Sequence, residues 1–132
     1  MDCEAASDGS TYFAACGYQA TSNEADSLCI DAGYDGLATI LNVTESSFVV
    51  DLFTNQTPNW IIGLIDSTGN NNWYWRSGLG LSYTNWGSGQ PQSNSGRDCG
   101  FMSSSNNGTW FNDSCTISSN DGGFFGRVCE KR

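Results

Sequence analysis

The 132-residue chain has no histidine, two prolines, and only five Lys and Arg against fourteen Asp and Glu. Without histidine it lacks the side chain that most often serves as general base and metal ligand near neutral pH. It has no G-x-S-x-G elbow, no phosphate-binding loop and no paired acids in a glycosidase motif, so no enzymatic activity is expected. With so few basic residues and a net charge of −9, it cannot build a phosphate-neutralising face. Nucleic acid and anionic membrane surfaces are therefore excluded as partners. No apolar run approaches the length that spans a bilayer, so membrane insertion is not expected. The six cysteines include no C-x-x-C pair, which argues against a zinc site.

The chain is rich in aromatics, with five Trp, five Tyr and seven Phe. Its length fits one domain, residues 1–132, with a modest core. An even number of cysteines predicts three disulfides and an oxidising, secreted or extracellular setting. Sequons at Asn42, Asn55, Asn107 and Asn112 agree with a glycoprotein. With Cys3 so near the start, Met1 reads as an added initiator before a mature secreted domain. The acidity itself reads as solubility.

Along the chain, CEAASDGSTYFAAC (3–16) predicts two short strands about an Asp8-Gly9 turn. Thr21 and Glu24 stand at capping-box spacing, and Ala25, Leu28, Cys29 and Ala32 form one apolar helical face that stops at Gly33. Asn42 and Glu45 repeat the box before a second helix, whose stripe is Phe48, Val49, Leu52 and Phe53 and which Pro58 follows. WIIGLI, WYW and FFGRVCE read as strands. The stretch from 66 to 98 is long for a loop, but Trp73, Trp75, Tyr83 and Trp86 predict that it is packed.

The succession CIDAGYDGLATI, WIIGLID, NNWYWRSG, YTNWGSGQPQ, DCGFM, GTWFNDSC and GRVCEKR resembles the C-type lectin-like domain over essentially the whole chain. The resemblance implies an α+β fold in which two helices flank short antiparallel sheets beside a long structured loop. It implies disulfides Cys29–Cys129 and Cys99–Cys115, with Cys3–Cys16 as the N-terminal hairpin bridge of the long form. Spacing alone leaves the connectivity open. A 29–129 bridge would close roughly 100 residues, worth about 4.7 kcal/mol in the chain-entropy model.

In sugar-binding members the long loop holds calcium, which takes six to eight hard oxygens with carboxylates offsetting its charge. The matching positions here are Gln90, Pro91 and Gln92, with a cis Pro91 aiming both amides one way. Arg97 stands in the place of the family glutamate and would repel calcium. Counting back from Cys115, the Asn-Asp positions fall on Phe111 and Asn112, whereas Asn112 and Asp113 would need a bulge. Calcium at Gln90, Gln92, Asn112 and Asp113 is therefore expected to be weak or absent. Arg97 is alternatively a partner of Asp98 or Asp113. An auxiliary site would use Asp66, Asn70 and Asp98, but Asp66 also suits a cap on the turn Ser67-Thr68-Gly69. Trp60, Trp75, Trp86 and Trp110 match family core anchors, while Trp73 is a candidate to stack on a sugar. The implied function is non-enzymatic recognition of a glycan or glycoprotein through Gln90, Pro91, Gln92, Arg97, Asn112, Asp113 and Trp73. The alternative is a calcium-independent lectin-like domain that binds a protein, ice or mineral.

Overall fold

The computed structural model of the chain describes residues 3–16, 21–52, 59–66, 68–69, 71–93, 96–103, 107–116 and 125–132. The expectations for Phe53, Asn55, Pro58, Ser67 and Asn70 lie outside these residues.

Strands β1 (Cys3–Ser7) and β2 (Tyr12–Cys16) form the predicted antiparallel hairpin. Asp8 Oδ1 closes its turn, accepting from the backbone N–H groups of Ser10 at 3.0 Å and Thr11 at 2.8 Å. Gly9 supplies the positive φ of 104° that the turn requires. Helix α1 (Ser22–Asp31) carries the complete capping box. Thr21 Oγ1 accepts from Glu24 N, and the Glu24 carboxylate accepts from Thr21 N. Its buried face is Ser22, Ala25 and Cys29.

The second capping box is only half formed. Asn42 Oδ1 accepts from Glu45 N at 2.8 Å at the start of α2 (Val43–Leu52). Glu45 does not reach back to Asn42. Its carboxylate accepts from Leu41 N at 2.8 Å and from the Arg132 guanidinium, and the residue is buried. The carboxylate takes the Arg132 guanidinium together with the N–H one residue before Asn42.

The remaining strands are β3 (Gly36–Leu37), β4 (Asn59–Ile65), β5 (Tyr74–Trp75), β6 (Cys99–Ser103), β7 (Thr109–Asp113) and β8 (Phe125–Lys131). They join the hairpin in one sheet of order β1-β2-β8-β4-β6-β7, with β3 on β8 and β5 on β4. Every named pairing is antiparallel except β4 with β8. One edge of β8 faces β2. The other is shared, its first residues pairing with β4 and Cys129 and Glu130 with β3.

Side chains alternate along these strands and split the core between the two faces of the sheet. Ala25 and Cys29 of α1 pack with Ala14, Leu37, Ile61, Phe101 and Cys129. Val49 of α2 packs with Phe13, Trp60, Ile62, Met102, Trp110 and Val128. The long loop lies over this second cluster. Trp86 meets Trp110 edge-on at 5.6 Å, Tyr83 meets the same ring at 5.9 Å, and Trp73 meets Trp86 at 5.2 Å. That aromatic stack orders a stretch with little secondary structure of its own.

Two disulfides cross this frame, Cys29–Cys129 and Cys99–Cys115. Cys16 is also disulfide-bonded, and the hairpin register sets it opposite Cys3.

Where β8 meets β4 the fit is tight. A Cβ on Gly126 would lie 2.4 Å from the Trp60 ring and 2.9 Å from the Cys16 carbonyl oxygen. Gly126→Ala should therefore lower stability by about 1–3 kcal/mol, the range for overpacking a close-packed core. Urea denaturation reads this directly, and an unchanged midpoint would mean that β8 slides freely along β4.

Candidate functional site

The loop carrying Gln90, Pro91, Gln92 and Arg97 hangs from β7. Trp110 N donates to the Asn85 carbonyl at 2.7 Å, and Gly87 N donates to the Trp110 carbonyl at 2.9 Å. The Gln90–Pro91 peptide is cis. Strand β7 pairs with β6 in continuous register from Cys99 opposite Asp113 to Ser103 opposite Thr109. Alternation buries Trp110 and Asn112, and Phe111 stacks on Phe101 at 5.4 Å. Asn112 and Asp113 therefore meet the loop without a bulge inside β7, and Phe111 has no part in it.

Asn112 is only 2% exposed, and its polar groups are all engaged. Its Oδ1 accepts from Gln92 N at 2.7 Å. Its Nδ2 donates to the carbonyls of Gln92 at 2.8 Å and Arg97 at 2.9 Å. Its own backbone N–H donates to Gln90 Oε1 at 3.3 Å. One amide thus holds both limbs of the loop. The Nδ2 group uses both hydrogens, so a glycan on the Asn112 sequon is incompatible with this packing. Asn107 is exposed, and Asn42 caps α2.

Arg97 Nη1 lies 3.5 Å from Asp113 Oδ1, with side chains 37% and 27% exposed. Of its two predicted partners, Asp113 is the one in contact. So exposed a pair contributes at most about 1 kcal/mol.

This donor set does not fit calcium. The Gln90 and Asn112 oxygens already accept backbone N–H groups, and the Asp113 carboxylate faces a guanidinium. Among the described residues, six to eight converging oxygens with uncompensated negative charge are not assembled here. At the auxiliary position, Asp66 is 3% exposed. Its carboxylate accepts from Asn71 N at 2.7 Å and from Thr68 Oγ1 at 3.3 Å, which is the geometry of a turn cap. Asp98 gives that turn its carbonyl, accepting from Asp66 N at 2.8 Å. Trp73 is half-buried. It packs on Trp86, and its Nε1 donates to Asn71 Oδ1 at 3.1 Å.

A second polar cluster lies at the base of the fold, and the sequence reading missed it. Arg132 donates to both Glu130 and Glu45, and to the Thr39 carbonyl at 2.7 Å. Glu130 is 2% exposed and accepts from Thr39 N at 2.7 Å. Burial pushes its carboxyl above the ordinary carboxylate value, while the Thr39 bonds and Arg132 pull it back. The available signal was the spacing of Glu130 and Arg132, two apart on a strand and so on one face.

The Lectin C-type domain family model matches residues 18–121, and the chain belongs to this family. It is 33% identical to human C-type mannose receptor 2 over 94 residues, covering 71% of this chain and 6% of the receptor. It is 34% identical to human lithostathine-1-beta over 97 residues, covering 70% of this chain and 58% of that protein. The chain thus spans a small part of the receptor and little over half of lithostathine-1-beta. The structure of human lithostathine superposes with a TM-score of 0.85 at 28% identity, covering 98% of this chain and 97% of that one. A calcium-independent type II antifreeze protein has the same fold, with a TM-score of 0.84 at 20% identity over 99% of this chain and 93% of the other. The α+β C-type lectin-like fold expected from the sequence is the fold observed.

Replacing Asn112 tests the loop's construction. Asn112→Ala removes three bonds to the part-buried backbone groups of Gln92 and Arg97 and should cost about 1–3 kcal/mol. Asn112→Asp should cost more, because a carboxylate cannot donate to two carbonyls and is buried as well. Equilibrium denaturation of both variants at neutral pH measures the order. An Asp variant as stable as wild type would mean that the amide is not the clasp.

Proposed function

We propose that this chain is a non-enzymatic extracellular recognition module that binds carbohydrate hydroxyls through its long loop without calcium. The observation that carries the reading is the Asn112 clasp. It fixes Gln92 by its backbone N–H and carbonyl together, while the Gln92 side chain stays exposed and makes no hydrogen bond with the described residues.

The Arg97 carbonyl shares the same Asn112 nitrogen, so the two residues sit side by side. An amide with a donor and an acceptor thus stands next to a guanidinium–carboxylate pair. Adjacent hydroxyls of a sugar ring offer the complementary donors and acceptors. The arrangement is preorganised, since the backbone is held before any ligand arrives. Trp73 supports the loop from below through Trp86 rather than offering a free face. Disulfides and the surface sequons agree with an extracellular setting. The family's partners include glycans and proteins, and the polar character of this loop favours a glycan.

A glycan array probed with calcium and again with a chelator should give the same profile. Gln92→Ala keeps the backbone bonds to Asn112 and should weaken binding about three- to tenfold, the loss of one hydrogen bond. Titration calorimetry should find no calcium binding at sub-millimolar concentration, and Arg97→Glu should raise calcium affinity by reversing a charge at ligand distance. Glycan binding abolished by the chelator would overturn the proposal.

A further inference from the structure

Apart from the segment 90–97, a cleft of about 510 Å³ opens between α1, β3, the segment after β5 and the end of β8. Its walls combine Ile30, Leu37 and Leu79 with Asp26, Asp35 and Glu130. Ile30 is 53% and Leu79 40% exposed, so apolar surface stands at the mouth. Two guanidiniums also line it; both donate to groups of the fold, although the buried Arg76 Nε has no hydrogen-bond partner among the described residues. Arg132 bridges Glu45 and Glu130. Arg76 turns toward α1, donating to Asn23 Oδ1 at 3.2 Å.

The carboxylates nearer the mouth keep capacity. Asp26 Oδ1 accepts from Leu37 N at 3.0 Å, and Oδ2 receives no hydrogen bond from the described residues. Asp35 accepts from Arg132 N at 2.8 Å and lies 3.9 Å from Lys131 Nζ, a loose pair with side chains 60% and 47% exposed for Lys131 and Asp35.

We infer that this cleft docks a lysine side chain of a protein partner, its methylene stem along Ile30 and Leu79 and its ammonium between Asp26 and Asp35. An amphipathic side chain with an apolar stem and a charged tip matches walls of this kind. The net charge of −9 favours a cationic partner. It disfavours a second copy of this chain, which has only five basic residues to offer. Lys131 is the intramolecular competitor that an incoming ammonium would displace from Asp35.

The test follows backbone amide NMR shifts of Gly36, Leu37 and Leu79 while acetyl-Gly-Lys-Gly-amide is titrated, with the norleucine analogue as control. The lysine peptide should move these amides and leave Gln92 and Arg97 unmoved, while norleucine should do little. Asp26→Asn, which keeps the acceptor for Leu37 N, and Asp35→Asn should each weaken binding by up to about fivefold. Lys131→Ala, on the exposed surface, should strengthen it by a similar factor. Equal shifts with norleucine, no shifts at all, or no strengthening in Lys131→Ala would overturn the inference. Shifts at the same amides that grow with protein concentration alone would reassign the cleft to contact between copies. Because the readout excludes the segment 90–97, failure here leaves the carbohydrate reading standing.

Discussion

Strand β8 is the constraint on which the rest of the structure depends. It is the one strand paired with β2, β3 and β4 together, so the hairpin, the turn after α1 and the central strands all take their register from it. Cys29–Cys129 fixes it to α1 across a sequence separation of 100. In the chain-entropy model a closure of that length is worth about 4.7 kcal/mol, against a typical total stability of about 5–15 kcal/mol. With no helix longer than ten residues among the described ones and a sheet assembled from distant segments, the fold has few local contacts to offset its entropy. The crosslink and the close approach of Gly126 to Trp60 hold together what sequence neighbourhood does not.

Above that frame the loop is held by a neutral amide rather than by charge. The Arg97–Asp113 pair is exposed, and its contribution is at most about 1 kcal/mol and falls with salt. Asn112 makes three side-chain bonds and one backbone bond while buried. Buried bonds of this kind contribute about 0.5–1.5 kcal/mol each, and leaving their partners unsatisfied costs more. The asymmetry assigns the parts. Asn112 builds the loop, and Arg97 sits where it can change partners at little structural cost. At this position the protein's own backbone N–H groups occupy the Gln90 and Asn112 amide oxygens.

Much of this was legible in the sequence, and the failures share a cause. The Thr21–Glu24 box, the hairpin turn at Asp8 and the strand runs depend on neighbours a few residues away, and they form as the spacing predicts. The spacing of Asn42 and Glu45 is equally good, yet the Glu45 carboxylate accepts from Leu41 N and from Arg132, 87 residues away, instead of closing the box. Counting back from Cys115 put Phe111 and Asn112 at the paired positions; alternation along β7 buries Asn112 against the loop, as either register expected, and turns Phe111 onto Phe101. Residue types announced an amide site. Only the three-dimensional pairing says which amides are structural and which, like that of Gln92, make no hydrogen bond with the described residues.

The base of the fold shows the opposite electrostatic solution. Glu45 and Glu130 are both nearly fully buried, and a single guanidinium serves the two. Burying charge is costly unless it is paired and hydrogen-bonded, and here Thr39 and Leu41 backbone donors complete the shell. Even so, burial outweighs the attraction at Glu130, whose carboxyl titrates above its ordinary value. Arg132 is thereby consumed internally and leaves Asp26 and Asp35 as the carboxylates that face solvent in the cleft. A guanidinium paired at the rim of the loop stays exchangeable, while one bonded between two buried acids does not. The same residue type is thus exchangeable at the loop rim and architectural beside Glu45 and Glu130, and exposure of the partner carboxylates decides which.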